Sequence, residues 1–291
     1  MANANSAIYA SNTNSVQGGG VLVQNSAMML GAPKNMKSLC AVAVIAMATM
    51  ATMAVVLPAR ADEVTLIAPG GIRDAIQKMI PDFERKTGHT VKAAFGSGGG
   101  TKKQVMNGEP FDVPIVQPPL AVVVSTGHVV AASETPLATV AVALAVRKGA
   151  PRPDISTTDA LRQTLLAAKS VSIPDGARGA AAGVSFDETL KKLGIAEQMK
   201  ATLRRVQGGA NAMAVLAKGE VELGLTFLSE IHNPGVEVVG VLPREISTPT
   251  ALVGYVSASA KAPDAAKALL AYLSSPEVAQ VYRSLGMQPG R

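Results

Sequence analysis

Cysteine, tryptophan and histidine are scarce in this 291-residue sequence: one cysteine, no tryptophan and three histidines. The lone Cys40 sits in an N-terminal apolar segment, so the chain beyond it has neither a disulfide framework nor thiolate chemistry. Stability there must come from a packed core. His89, His128 and His232 are scattered, with no two at metal-ligand spacing, so no metal or other cofactor is implied. Aromatics make up 3% of residues and do not interleave with Lys/Arg clusters, which argues against nucleic-acid binding. Charge is sparse as well, at 16%.

Much of the apolar excess lies at the front. Residues 39–57 carry no charge, Lys34 and Lys37 precede them, and Pro58-Ala59-Arg60-Ala61 follows. A basic start, an apolar middle and an Ala-x-Ala end describe a secretory signal peptide over 36–61, cleaved after Ala61. Nineteen apolar residues are almost a membrane span, but the Ala/Thr/Met content and the small-residue end favour removal. A lipoprotein reading of Cys40 fails because the apolar run follows that residue instead of preceding it. Residues 1–35, rich in Asn, Ser, Ala and Gly, read as an upstream or disordered extension. Lys34, Lys37 and Arg60 are the only charges before residue 62, so the remainder has 24 bases and 21 acids, net +3. The exported protein is only mildly basic.

From Val64 the chain alternates. Val64–Ala68 reads as a buried strand, Pro69-Gly70-Gly71 as a turn, and Ile72, Ile76, Met79, Ile80 and Phe83 recur at helical spacing until Thr87-Gly88. Pro81 predicts a kink or interruption. A second strand, Val91–Phe95, runs into the glycine loop Gly96-Ser97-Gly98-Gly99-Gly100-Thr101, ahead of a helix from Lys102 to about Met106. Val113–Val116 is a strand broken by Pro114. Residues 137–147 read as one long apolar strand suited to the centre of a sheet. Thr158 then caps a helix through Ala168, and Val171–Ile173 is another strand. The small-residue loop 174–183, the glycine turn 206–210 before a helix Asn211–Lys218, and the strand Leu223–Phe227 repeat the pattern. After Val236–Leu242, two helices lined by Ala265, Leu269, Leu270 and Leu273, then by Val278, Val281, Tyr282 and Leu285, close the chain. Strands alternating with amphipathic helices imply an α/β fold whose ligand lies beyond the carboxyl ends of the strands.

The chemistry of the glycine loop is that of an anion cradle: glycines let a ligand approach the main chain, and the first amides of a helix lack partners. It is not a phosphate loop, because Thr101 precedes Lys102 and Lys103 stands where Ser or Thr is required. Nor does Gly96-Ser97-Gly98 have nucleophile-elbow spacing. Arg73, Arg178, Lys102 and Lys103 border glycine turns and are the candidate anion-binding side chains. No nucleophile, base and orienting group assemble, so no enzyme is signalled.

Several motifs occur together in a set order. Leu66-Ile67-Ala68 is followed by Asp74-Ala75, Phe83-Glu84 by Thr87-Gly88, and Phe95-x-Ser97 by Gln104. Gly108-x-Pro110-x-Asp112-Val113 and the ending from Ala268 to Gln280, with Gly286, complete the set. Over residues 63–288 these resemble the periplasmic substrate-binding proteins of ABC importers, type II, most closely the molybdate-binding branch. The resemblance implies two α/β lobes, with mixed sheets flanked by helices and two crossing strands as the hinge. Lobe 1 is then 62–139 plus 248–291, and lobe 2 is 140–247.

It also implies a monomeric periplasmic binding protein that closes on a small anion and delivers it to an inner-membrane ABC permease, with no nucleic-acid partner. Molybdate binders of that branch use two serine hydroxyls, backbone amides and a tyrosine hydroxyl. Those positions fall here on Gly71 and Gly98, on Ala182 and Ala210, and on Phe227, so all three hydroxyls are missing. Ser97 and Thr101 are the neighbours able to compensate, the amides of Gly71 and Gly98 persist with Gly70 beside them on the binding rim, and the wider cleft suits an organic acid clamped by Arg73 or Arg178. The alternative on the same scaffold is an organic-acid isomerase resembling aconitate isomerase, which needs a base; Asp175 and Glu230 are the suspects.

Overall fold

The structure is a computed structural model, and it describes residues 61–290. The expected extension at 1–35 and signal peptide at 36–61 lie outside the described residues, save for Ala61. Among the described residues no helix is long and apolar enough to cross a membrane.

The chain opens with β1 (Glu63–Pro69), whose buried residues Val64, Leu66, Ile67 and Ala68 suit the middle of a sheet. A 3-10 turn at Gly70–Ile72 leads directly into α1 (Arg73–Thr87). Ala75, Ile76, Met79 and Phe83 form its buried stripe, and Gly88 ends it at φ 76°. The helix is continuous through Pro81, so the expected interruption is absent. Next come β2 (Thr90–Gly96), α2 (Gly98–Met106), β3 (Val113–Val116), the single-turn α3 (Ala121–Val124), β4 (Thr135–Val140) and β5 (Val142–Arg147). The second half continues with α4 (Thr158–Ala167), β6 (Val171–Pro174), α5 (Ala181–Lys192), α6 (Ala196–Met199) and β7 (Leu203–Val206). It is completed by α7 (Gly208–Ala217), β8 (Leu223–Phe227) and β9 (Val236–Val241). Then β10 (Thr250–Gly254), α8 (Pro263–Leu273), α9 (Ala279–Ser284) and β11 (Gln288–Pro289) follow.

The strands form two mixed sheets flanked by helices. One has the order β11-β4-β10-β3-β1-β2 and the other β7-β6-β8-β5-β9. Within the first, β1 runs parallel to β2 and β3, while β10 runs antiparallel to β3 and β4. Within the second, β6 is parallel to β7 and β8, and β5 is antiparallel to β8 and β9. The chain crosses between the sheets twice, at Ala141 and between β9 and β10. One continuous core unites them, from Leu66 and Phe83 on one side to Leu144 and Phe186 on the other.

Five further sequence expectations need correction. The apolar run 137–147 is not one strand: it breaks at Ala141, and its halves join different sheets. Apolarity marks burial but not which sheet does the burying. The glycine loop is shorter than expected, because Gly98, Gly99 and Gly100 already form the first turn of α2 and Ser97 caps it by accepting from the Gly100 amide at 3.1 Å. α7 likewise starts at Gly208 rather than Asn211. The cap of α4 is Thr157, which accepts from Ala160 N–H at 3.1 Å, with Thr158 its first helical residue. Pro114 sits within an unbroken β3.

Candidate functional site

The parallel strands of both sheets direct their carboxyl ends at a cavity of about 510 Å³ between the two halves. Four helical starts surround it: the turn at Gly70–Ile72, then α2, α5 and α7. Neither α5 nor α7 has a side-chain cap at its start, and residues of both first turns, Ala181, Ala182, Gly208 and Gly209, line the cavity. Both are long enough to concentrate partial positive charge there.

Nine of the ten residues expected at the site line this cavity: Gly70, Gly71, Arg73, Ser97, Gly98, Arg178, Ala182, Ala210 and Phe227. Thr101 does not. It is wholly buried in α2, out of a ligand's reach. The Ser97 hydroxyl is occupied as the α2 cap, which leaves Ser97 little to offer beyond its backbone. Of the lysines, Lys102 directs its ammonium to Pro118 O at 2.7 Å, and burial lowers its pKa.

The glycines are explained by what a side chain would meet. A Cβ on Gly71 would stand 3.0 Å from the Phe227 ring, and one on Gly98 would overlap Oε1 of Gln117 and approach the Ala181 Cβ at 3.0 Å. The missing hydroxyls are therefore filled space, occupied by Phe227 and Gln117. One on Gly99 would stand 3.0 Å from Gly179 Cα. The halves meet there: Gly99 N–H donates to Gly179 O at 2.9 Å. On the other flank Ser229 Oγ donates to Gly71 O at 2.7 Å, and His232 Nε2 lies 2.8 Å from Asp74 Oδ2.

Charge within the cavity is mixed. The Arg73 guanidinium lies 5.2 Å from the centre of the Phe95 ring, and Arg178, largely exposed, pairs with Asp175 at 3.6 Å. Asp175 also accepts from the Ala177 amide at 3.0 Å, so of the two suspected bases it is committed to its own loop. Glu230 lies deeper. Its carboxylate accepts from Thr226 Oγ1 at 2.5 Å, and a Cβ on Gly209 would overlap both groups. Burial pushes its pKa up, against the lowering effect of the Thr226 hydroxyl, the Phe227 amide and Arg73. Among the described residues no group of three or more His, Cys, Asp or Glu could hold a metal.

This geometry, two α/β halves with helical starts facing across a cleft, agrees with the sequence match. The family model for bacterial extracellular solute-binding proteins matches residues 64–288. The chain belongs to that family. Among curated relatives, aconitate isomerase of a Pseudomonas species is 35% identical over 234 residues, covering 78% of this chain and 87% of the relative. The molybdate-binding protein of Azotobacter vinelandii is 28% identical over 233 residues, covering 78% and 90%. The solved structure of the Azotobacter vinelandii periplasmic molybdate-binding protein superposes with a TM-score of 0.64 at 17% identity, covering 77% of this chain and 98% of that one. At that identity the superposition speaks for the fold, which is the two-lobed one of the solute-binding proteins.

Gln117, Asp74, Ser229 and His232 also line the cavity of this solute-binding protein, and sequence reasoning did not single them out as ligand-facing. His232 and Asp74 are 158 positions apart, so no local spacing could pair them. Gln117 carried a weak signal: it is the polar residue that directly follows an all-buried strand aimed at the cleft.

Proposed function

We propose that this solute-binding protein closes on an organic carboxylate in the periplasm and presents it to an inner-membrane ABC permease. The halves built on the two sheets act as lobes, 62–139 plus 248–291 and 140–247, joined at the two crossings. The observation that carries this reading is the replacement of hydroxyl positions by filled space around a large cavity. Three hydrogen bonds to a charged ligand, at ~1.5–3 kcal/mol each, are forgone relative to a molybdate-type site. The cavity of about 510 Å³ falls in the ~300–1,000 Å³ range of organic-ligand sites. A five-atom oxyanion, at ~30 Å³ per water-sized atom, fills roughly a third of such a space. Uncapped helix starts and two arginines supply the positive potential for a carboxylate. The likeness to an aconitate isomerase points to the same ligand class, aconitate being a tricarboxylate.

A thermal-shift panel tests it. Molybdate, tungstate, sulfate and phosphate are compared with di- and tricarboxylates. A ligand at 100 times its Kd adds ~2.7 kcal/mol of stability. Carboxylates alone should raise the melting temperature; a shift with molybdate and none with carboxylates refutes the reading.

Glu230 favours a second reading, an isomerase on the same scaffold. A cavity carboxyl whose pKa burial raises above the usual carboxylate range suits proton transfer to and from a bound ligand. Incubation with cis-aconitate, followed by proton NMR, separates the two: an isomer appears only under the second, and Glu230→Gln abolishes it.

A further inference from the structure

We infer that this cavity takes up a proton together with its carboxylate ligand, and that Glu230 carries the proton. The inference rests on the carboxylate reading above and adds to it a dependence on pH.

The charges around the cavity set the problem. Two arginines, Arg73 and Arg178, face three carboxyls, Asp74, Asp175 and Glu230, so with His232 counted neutral the lining side chains sum to −1. Four of these six are engaged with one another: Arg178 with Asp175 at 3.6 Å, and His232 with Asp74 at 2.8 Å. Among the described residues no ion pair engages Glu230, and the Arg73 guanidinium lies over the Phe95 ring instead. A di- or tricarboxylate thus enters a space that already holds one uncompensated carboxyl. Like charges confined to one poorly solvated site do not both stay ionised.

Geometry singles out Glu230 as the group that yields. It ends the 3-10 turn Leu228–Glu230, directly after β8. Thr226 Oγ1 donates to its Oε2 at 2.5 Å, while Oε1 faces the other half, where a Cβ on Gly70 would stand 3.3 Å away. Gly70 belongs to the rim of the cavity. A proton on Oε1 turns a repelling oxygen into a donor at that rim, and a carboxyl donating to a carboxylate makes a short, charge-assisted hydrogen bond. Arg73 strengthens the coupling. In the free cavity burial favours the neutral form of Glu230, and the Arg73 charge opposes it. Once a ligand carboxylate pairs with the guanidinium, that opposition is withdrawn, and the ligand's own charge acts in the same sense as burial. The proton comes from solvent, and the ligand stays ionised. Affinity is then greatest below the pKa that Glu230 has in the free protein. It falls as pH rises through that value, by up to about tenfold per unit for one proton.

Isothermal titration of the full chain tests this, with trans-aconitate and with propane-1,2,3-tricarboxylate, which has no double bond to isomerise. The series runs from about pH 5.5 to 8.5, above the ordinary carboxylate range. Each titration is repeated in MOPS and in Tris, whose ionisation enthalpies differ, so the difference in heat counts the protons taken up. Wild type should take up close to one proton per ligand at its maximum, with a Kd at least about tenfold weaker at the top of the series than at the bottom. Glu230→Gln, permanently neutral and still a donor, should lose both the uptake and the pH dependence, and His232→Gln should keep both. Uptake that survives in Glu230→Gln, or vanishes in His232→Gln, overturns the assignment. If Glu230→Gln fails to fold, the His232→Gln result decides. Wild type that binds either tricarboxylate without proton uptake at any pH overturns this inference alone; wild type that binds neither overturns the carboxylate reading and this inference with it.

Discussion

The contact between Gly99 and Gly179 converts closure into a measurable quantity. In Gly99→Ala the new methyl would stand 3.0 Å from Gly179 Cα and 3.4 Å from Gly179 O, both backbone atoms. No side chain can rotate out of the way, so the two halves must separate slightly, and the bond from Gly99 N–H to Gly179 O at 2.9 Å stretches with them. Overpacking of this kind costs ~1–3 kcal/mol. The cost applies only while the halves touch. A ligand that requires closure therefore binds ~5–150-fold more weakly, at ~1.4 kcal/mol per tenfold. The ligand-free chain should not suffer: alanine in the first turn of α2 is favoured over glycine by ~0.5–1 kcal/mol. Titration with trans-aconitate should show the loss, and differential scanning fluorimetry of the free protein a melting temperature equal or higher. An unchanged Kd would refute the closure argument, and a melting temperature that falls with the affinity would place the clash in the resting protein instead.

Three further outcomes are expected. Glu230→Gln should raise the melting temperature increasingly as pH climbs through the raised Glu230 pKa, and converge with wild type below the ordinary carboxylate range, in a pH series of calorimetric scans. The folded state holds the Glu230 pKa up, so stability present below the ordinary carboxylate range is lost as pH rises through the raised value, and glutamine removes that loss. Asp112→Asn should cost about 3 kcal/mol, read as a drop of ~6–12 °C by calorimetry. Asp112 accepts from Thr65 N–H and Oγ1 at 2.8 and 2.6 Å and from Lys261 N–H at 2.6 Å, and asparagine turns one acceptor into a donor facing donors. Burial pushes its pKa up, but these bonds outweigh burial and hold it below the usual range, so their stabilisation persists above that range and is lost as pH falls through the depressed value. Gly98→Ser should lower the melting temperature by crowding Gln117 and the Ala181 Cβ, and Gln117→Ala in the same chain should restore part of the loss; a melting temperature unchanged by Gly98→Ser in fluorimetry would refute the crowding.

Local patterning carried much of the fold. The apolar runs at Val64–Ala68 and Leu223–Phe227, the periodic Ile76, Met79 and Phe83, and Gly88 at φ 76° each state their element within a few residues. What escaped was non-local. Ala141 divides a uniformly apolar run between two sheets, and nothing in its neighbours distinguishes Val140 from Val142. The helices at Gly98 and Gly208 begin in residues of poor helix propensity, because there tertiary closeness forbids a Cβ: Gln117 beside Gly98, and Glu230 with Thr226 beside Gly209. The backbone rim of the site was readable from small residues ahead of helices. The side chains that join it at the cavity wall, Gln117, Ser229 and His232, depend on topology and were not.

The position of β10 also bears on the order in which the chain can fold. β10 lies between β3 and β4, and β11 covers the outer side of β4, so the first sheet is completed only by strands from the last fifth of the chain. While the ribosome is still producing earlier segments, β3 and β4 have no strand to join them, and the core shared by both halves cannot close. The second sheet, by contrast, has all of its strands by Val241, so the half built on it can form before the first sheet is complete, and a chain cut off before β10 would leave β3 and β4 unjoined.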